Sequence, residues 1–338
     1  MPHTDPSIRA TYAPAQISQY LDRIALPAKY RSSPILTDIS ATNPAANTPE
    51  ARALLEKLIR YQIVAVPFEN LELHYSTHHG ITLDPHHIFH KIVELNHGRG
   101  GYCMENTSLL GTVLRSIGYD VMSTGGRVNE AVQPVSGSKD WAGPRFDGWN
   151  HMVNIVSVQG KHYLVDVGFG SNSPTFPVPL EDGFSTLNID PGHSMRLTRG
   201  HIPDNTSAKS SNPGQELWIY EIRFTDESPW MLAYCFSEIE FLPRDFETMN
   251  FFVSKSRTSW FTYFVVCLNY VMDPETERIV GDVTLFGNEI KKRRYGKSEH
   301  LMTIETEGDR VVALEKYLGV KLSEAERNGI KGLNTCLS

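Results

Sequence analysis

The sequence predicts an α+β protein, and three observations carry that prediction. Apolar residues recur at helical spacing through residues 1–118. From 119 to 230, short β-branched and aromatic runs alternate with turn residues. The remainder, 231–338, mixes both patterns. A chain of 338 residues is long enough for two or three domains and a large core, so boundaries are expected near 118 and 230.

In the first segment, Ile17, Tyr20, Leu21 and Ile24 share one helix face. Thr48-Pro49 signals a helix start, and the stripe Leu54, Leu55, Leu58, Ile59 follows it, with Glu56 and Arg60 paired i, i+4 outside. Asp84-Pro85 opens another helix running toward Leu95. After the glycine break His97-Gly98-Arg99-Gly100-Gly101, Leu109, Leu110, Val113, Leu114 and Ile117 define a helix that ends near Gly118. The second segment offers strands at Asp120–Val128, His151–Val158, His162–Val167 and Leu217–Phe224, a spacing that fits an antiparallel sheet or small barrel. Two long connections interrupt it, Ala131–Gly148 and the Ser/Asn/Pro-rich His201–Gln215, read as a mobile surface loop. In the third segment, strands are expected at Ile279–Phe286 and Leu301–Glu305, and helices over Asp309–Leu318 and after the Ser323/Glu326 capping box.

Composition narrows the function. With 32 Lys+Arg against 39 Asp+Glu the net charge is −7, which argues against a nucleic-acid partner. No run of about 18 apolar residues exists, and the polar start Met1-Pro2-His3-Thr4-Asp5 lacks the apolar core of a signal peptide, so no membrane association is expected. The four cysteines, Cys103, Cys235, Cys267 and Cys336, form no CxxC pair and fit reduced thiols in a cytoplasmic protein. His86 and His90 have ligand-like i, i+4 spacing but neither an HExxH pattern nor a third ligand, so no metal is expected.

One thiol stands out. Cys103 follows two glycines and opens a helix, where unpaired N–H groups and the positive dipole end favour negative charge. A buried structural cysteine is the competing reading. Cys235 and Cys267 lie in apolar, strand-like runs and suit core packing. A nucleophilic cysteine needs a base, and the base needs an orienting acceptor. His151 begins an apparent hairpin, His151–Val158, Gln159-Gly160, Lys161–Val167. A two-residue turn pairs Val158 with Lys161 and places Asp166 diagonally beside His151 on one face. Asp166 could also serve as a strand-end acceptor for loop N–H groups.

Arg99-Gly100-Gly101-Tyr102-Cys103, Asn150-His151-Met152-Val153 and Asp166-Val167-Gly168-Phe169-Gly170 resemble the motifs of the arylamine N-acetyltransferases. Val66-Pro67-Phe68-Glu69-Asn70-Leu71, Asn250-Phe251-Phe252-Val253-Ser254-Lys255-Ser256 and Leu285-Phe286-Gly287-Asn288 agree with further motifs of that family, in the same order. The resemblance implies a helical bundle (1–118), an antiparallel β-barrel (119–230) and an α/β lid (231–338). It implies a Cys103–His151–Asp166 triad, with Glu69 and Arg99 as a supporting ion pair. Transfer of an acetyl or malonyl group from its CoA thioester to a small arylamine, arylhydroxylamine or hydrazine is the implied activity, through an acyl-cysteine. Phe68, Tyr102, Gly168 and Phe169 become candidate substrate contacts, and Ser254, Lys255, Ser256, Arg257 and Asn288 candidate CoA contacts. The third-domain motif departs from the family's Ser-Thr-Ser-Pro: Lys255 and Arg257 add two charges where a CoA phosphate or an acidic acyl group would be held. The basic run Lys291-Lys292-Arg293-Arg294 is a second candidate for the phosphates, or simply a solvated face. The added length resembles eukaryotic, fungal-like members, some of which are N-malonyltransferases. Two other readings use the same residues: a thiol hydrolase or transglutaminase-like enzyme, and a non-catalytic acyl-CoA binder. The papain pattern is absent, and His151 lies too close after Cys103 for papain spacing.

Overall fold

The computed structural model describes residues 8–206 and 213–338. The polar start Met1-Pro2-His3-Thr4-Asp5 and the middle of the His201–Gln215 connection lie outside the described residues.

Helices Pro14–Arg23, Pro49–Ala65, Pro85–Phe89 and Cys103–Ser116 carry the first segment. Three begin with proline, whose missing N–H costs nothing in a first turn. The face Ile17, Tyr20, Leu21, Ile24 is buried, and Arg60 pairs with Glu56 at 2.7 Å. Asp84 caps its helix by accepting the His87 N–H at 2.8 Å. That helix does not run as an α-helix to Leu95, however. Beyond Phe89 it widens into a π-turn over His90–Glu94, in which Lys91 is buried and its ammonium pairs with Glu105.

The second segment supplies most of an eight-stranded antiparallel sheet. Its spatial order is Val178–Pro179, Lys161–Val165, His151–Val158, Asp120–Val128, Met231–Phe236, Leu217–Arg223, His193–Gly200, Phe184–Ile189. The two edge strands are consecutive in the chain and joined by a short turn, so the sheet curls into a nearly closed barrel. Strand Met231–Phe236 sits in the middle of this sheet, which therefore extends beyond position 230. Strands Phe184–Ile189 and His193–Gly200 are absent from the sequence-based outline. Only Met195 and Leu197 give the latter an apolar face, and the former is a half-exposed edge with a weak apolar signal.

A second, five-stranded antiparallel sheet has the order Phe68–Glu69, Val266–Met272, Ile279–Phe286, Glu289–Arg294, Lys297–Thr303. Its first strand comes from the helical segment, so that segment is stitched into the third. Helices Pro243–Lys255, Glu307–Leu318 and Glu324–Gly329 complete the chain, the last capped by Ser323. The last strand spans 297–303 rather than 301–305, because the tight turn Tyr295-Gly296 folds the chain straight back onto the basic run. No described helix is long and apolar enough to cross a membrane.

One core cluster decides where the functional residues meet. Leu109, Leu110, Val113 and Leu114 of the Cys103 helix pack in the same cluster as Val156, Val158 and Val165 of the hairpin. Each fully buried aliphatic side chain contributes about 1.5–3 kcal/mol. Burying these faces against each other therefore brings the start of the helix to the start of strand His151–Val158.

Candidate active site

Cys103 is the first residue of its helix. Tyr102 before it is extended (φ −84°, ψ −168°), and the Glu105 carboxylate accepts the Tyr102 N–H at 3.2 Å, which fixes the helix start. Glycine is required close to the sulfur. A Cβ on Gly168 would lie 2.6 Å from the Cys103 Cα, and one on Gly100 would lie 2.0 Å from the Pro67 carbonyl oxygen. Tight apposition of these backbones puts the residues after Asp166 directly against Cys103.

The hairpin has the register that the two-residue turn predicts: Val158 opposes Lys161 and Asn154 opposes Val165. Asp166 lies just past the strand end and uses both oxygens. Oδ1 accepts the Gly168 N–H at 2.8 Å, and Oδ2 lies 2.8 Å from His151 Nε2. It is thus a strand-end acceptor and the partner of the imidazole at once. The His151 ring is 1% exposed and held between Phe169 (centroids 5.2 Å apart) and Tyr234 (5.0 Å). Burial alone would depress its pKa. The Asp166 charge and hydrogen bond, with a smaller contribution from the nearby Cys103 sulfur, outweigh burial and push it up to about 10. Cys103 also directs its sulfur toward the Asn150 carbonyl at 3.8 Å. His151 and Asp166 are thus hydrogen-bonded to each other, and Cys103 borders the same cavity as His151.

Cys103 is 4% exposed, yet it borders a cavity of about 560 Å³ together with His151, Gly168 and Phe169. Phe68 lines it as well, as do Trp260, Phe261 and Phe286 of the third segment and Arg145 of the connection 131–148. The walls mix aromatic and aliphatic side chains with polar groups that include Glu130, Arg145 and Asp147, a make-up that suits a small polar-headed molecule.

Other sequence-based assignments move. Tyr102 is not on this wall. It is fully buried, its ring lies 5.5 Å from Phe261 edge-on, and its hydroxyl bonds to Asn250, so it is core. Ser254, Lys255, Ser256, Arg257 and Asn288 are likewise not among the residues lining the cavity. Ser254 turns inward at the end of its helix, and Lys255 reaches the His79 carbonyl at 2.6 Å. Ser256 bonds to the Thr258 hydroxyl, and Arg257 and Asn288 are exposed. Their neighbours take the place instead: Thr258 to Phe261 follow the helix end onto the wall, and Thr284 and Phe286 face inward from strand Ile279–Phe286. The basic run is strand Glu289–Arg294, where Arg293 pairs with Asp282 at 2.6 Å and Lys291 with Glu289. Sequence reasoning also missed Arg145, the only Lys or Arg among the described residues on the wall, held by Glu130 at 2.6 Å. No sequence motif marks it.

Arg99 and Glu69 pair at 3.0 Å in full burial, and Arg99 also binds Glu72 and Glu326. Burial would weaken the guanidinium's hold on its proton, but three carboxylates reverse that and raise its pKa. Glu69 also accepts the Gly100 N–H at 3.2 Å, so the cluster braces the loop leading into Cys103. Lys91 and Glu105 form a second buried pair beside it. Burial pushes Glu105 up to about 7 against the pull of Lys91.

Residues 53–327 match a family model described as N-acetyltransferase. The chain is 41% identical over 326 residues to the N-malonyltransferase FDB2 of Fusarium pseudograminearum, covering 94% of this chain and 92% of that one. It is 26% identical to the human arylamine N-acetyltransferase 1 over 78% of this chain and 84% of that protein. Among solved structures, the arylamine N-acetyltransferase of Mycobacterium abscessus superposes with a TM-score of 0.70 at 21% identity, covering 96% of this chain and 97% of that one. The Mycobacterium marinum enzyme in complex with CoA gives 0.68 at 24% identity, covering 95% and 100%. At these identities the two structures speak to the fold.

Proposed function

Since the chain belongs to the arylamine N-acetyltransferase family and is an acyltransferase, we propose that it moves an acyl group from CoA to a small aromatic amine through Cys103, His151 and Asp166. The observation that carries this reading is the buried His151–Asp166 pair with His151 and the Cys103 helix start on the wall of one cavity.

In the resting pair His151 holds the proton and Cys103 is the thiolate, and in the first half-reaction the sulfur attacks the thioester carbonyl. The carbon–sulfur bond to CoA breaks, and His151 passes its proton to the departing CoA thiolate. Asp166 holds the ring in place and stabilises its protonated form. The positive end of the Cys103 helix lies at the reacting carbonyl and favours the developing oxyanion. In the second half-reaction the amine nitrogen attacks the acyl-cysteine, His151 takes the excess proton from nitrogen, and the sulfur leaves as the thiolate. The products are an amide and the resting pair. Phe68, Phe169, Trp260 and Phe261 supply apolar surface for the aryl ring and keep water from the thioester.

The relatives named N-malonyltransferases favour malonyl-CoA as donor, with acetyl-CoA as the alternative. A malonyl group carries a second carboxylate, and Arg145 is the cation on the wall that can receive it by exchange from Glu130. Lys255 and Arg257 are not needed for this. The test is initial-rate kinetics with both donors and 4-anisidine as acceptor. Parallel double-reciprocal lines support the two-step route, and intersecting lines contradict it. Arg145→Gln should lower the malonyl-to-acetyl ratio of kcat/KM by roughly tenfold, the effect of losing one charge-assisted pair. An unchanged ratio removes Arg145 from donor choice.

A further inference from the structure

The Cys103 helix borders a second cavity on another stripe. Ser108, Thr112 and Arg115 line a space of about 550 Å³, and neither Cys103, His151 nor Asp166 is among its lining residues. Its apolar surface comes from Leu83, Met152, Phe241 and Phe246. The volume suits a drug-sized ligand.

Arg115 is the unusual group here. It is half-buried, its Nη2 donates to the Ser123 hydroxyl at 2.8 Å, and its buried Nε has no hydrogen-bond partner. Among the described residues no carboxylate forms an ion pair with it. Burial, helped by Arg9, pulls the guanidinium down to about 10 despite Glu240. The other charged groups on the wall are engaged elsewhere or face water. Arg9 pairs with Glu240 at 2.8 Å, Asp84 caps its helix, and Glu247 is exposed. The guanidinium is half-buried and its nearest negative charge, Glu240, is already paired with Arg9, so an anion from solution is a suitable partner. Planar, forked donors suit a carboxylate, and the apolar surface beside them suits a ring.

We propose that this cavity binds an aromatic monocarboxylate, with its carboxylate on Arg115 and its ring against Leu83, Phe241 and Phe246. No acyl chemistry is involved, so the site stands whether or not Cys103 carries an acyl group.

The probe is 1-naphthoate, titrated calorimetrically into the full chain, with neutral 1-naphthamide as control. The expected result is one saturable site per chain that binds the carboxylate roughly tenfold or more tighter than the amide. Saturating CoA should leave that binding unchanged, Arg115→Gln should weaken it by a similar factor, and Arg115→Lys should restore part of it. The carboxylate–amide comparison needs no variant and decides the matter even if Arg115→Gln fails to fold. No saturable binding, equal binding of amide and acid, displacement by CoA, or full affinity in a folded Arg115→Gln protein would each overturn the proposal.

Discussion

At the scale of single residues, His151 is the group whose environment says most. Its neighbours raise its pKa from 6.5 to about 10, so the folded state binds this proton more tightly than the unfolded chain does. The stability this confers is fully present below pH 6.5 and is lost as pH rises through about 10. Glu105 obeys the same sign in another window: raised from 4.5 to about 7, it contributes stability that fades between those values. Urea unfolding of the wild type between pH 6.5 and 10 should therefore show a falling midpoint, and Asp166→Asn should flatten that fall. The same variant should slow acyl transfer by on the order of 10³-fold, since the ring loses its orienting charge. A variant with parent-like rate and slope would remove Asp166 from the proton chain. His151 and Asp166 could be picked out of the sequence because they sit in contiguous motifs, whereas Glu105 carried no such mark. Nor did Arg145, because a lone arginine in a long connection carries no pattern; only packing brings it to the cavity.

At the scale of elements, the register of the hairpin was readable, although its second strand ends at Val165 rather than Val167, and the lid was less so. Hairpin register follows from turn length and strand periodicity, both visible in the string. Gln159 and Gly160 adopt φ of +51° and +71°, the conformation of the tight turn, although Gln is an unusual choice there. Asn tolerates that region better, so Gln159→Asn should raise unfolding stability by about 0.5–1 kcal/mol. Thermal melts check this, and an unchanged or lower midpoint would contradict it. In the lid, Ser254 to Arg257 do not line the cavity, although the residues that follow them do. Which residues reach the cavity depends on where helix Pro243–Lys255 ends and how the chain turns afterwards, and Thr258 to Phe261 inherit the position. In strand Ile279–Phe286 the period of two exposes Thr284 and Phe286 to the cavity and leaves Asn288 in the turn beyond.

At the scale of the whole molecule, three parts of the chain hold one site. Arg99 joins Glu69, which starts the five-stranded sheet, to Glu72 and to Glu326 of the last helix. Removing the guanidinium strands buried carboxylates, so Arg99→Met should destabilise the fold by about 3–5 kcal/mol, read as a shift in the urea midpoint. A shift within about 0.5 kcal/mol, the ordinary surface range, would mean that the cluster is not a brace. The succession of helices, strands and a mixed region was legible from periodicity. The crossing of strands between those regions was not: Phe68–Glu69 pairs with Val266–Met272, and Met231–Phe236 enters the barrel sheet. Such pairings depend on long-range packing that no local window contains.

The proposed chemistry turns on the sulfur of Cys103 carrying the acyl group. Intact-mass spectrometry after mixing the protein with malonyl-CoA, and separately with acetyl-CoA, reads this directly. It should show one added acyl group, located on the peptide containing Cys103, lost on adding an arylamine and never formed by Cys103→Ala. A protein that turns over amine while its mass stays unmodified in rapid-quench samples, or that acylates equally well without Cys103, would contradict it.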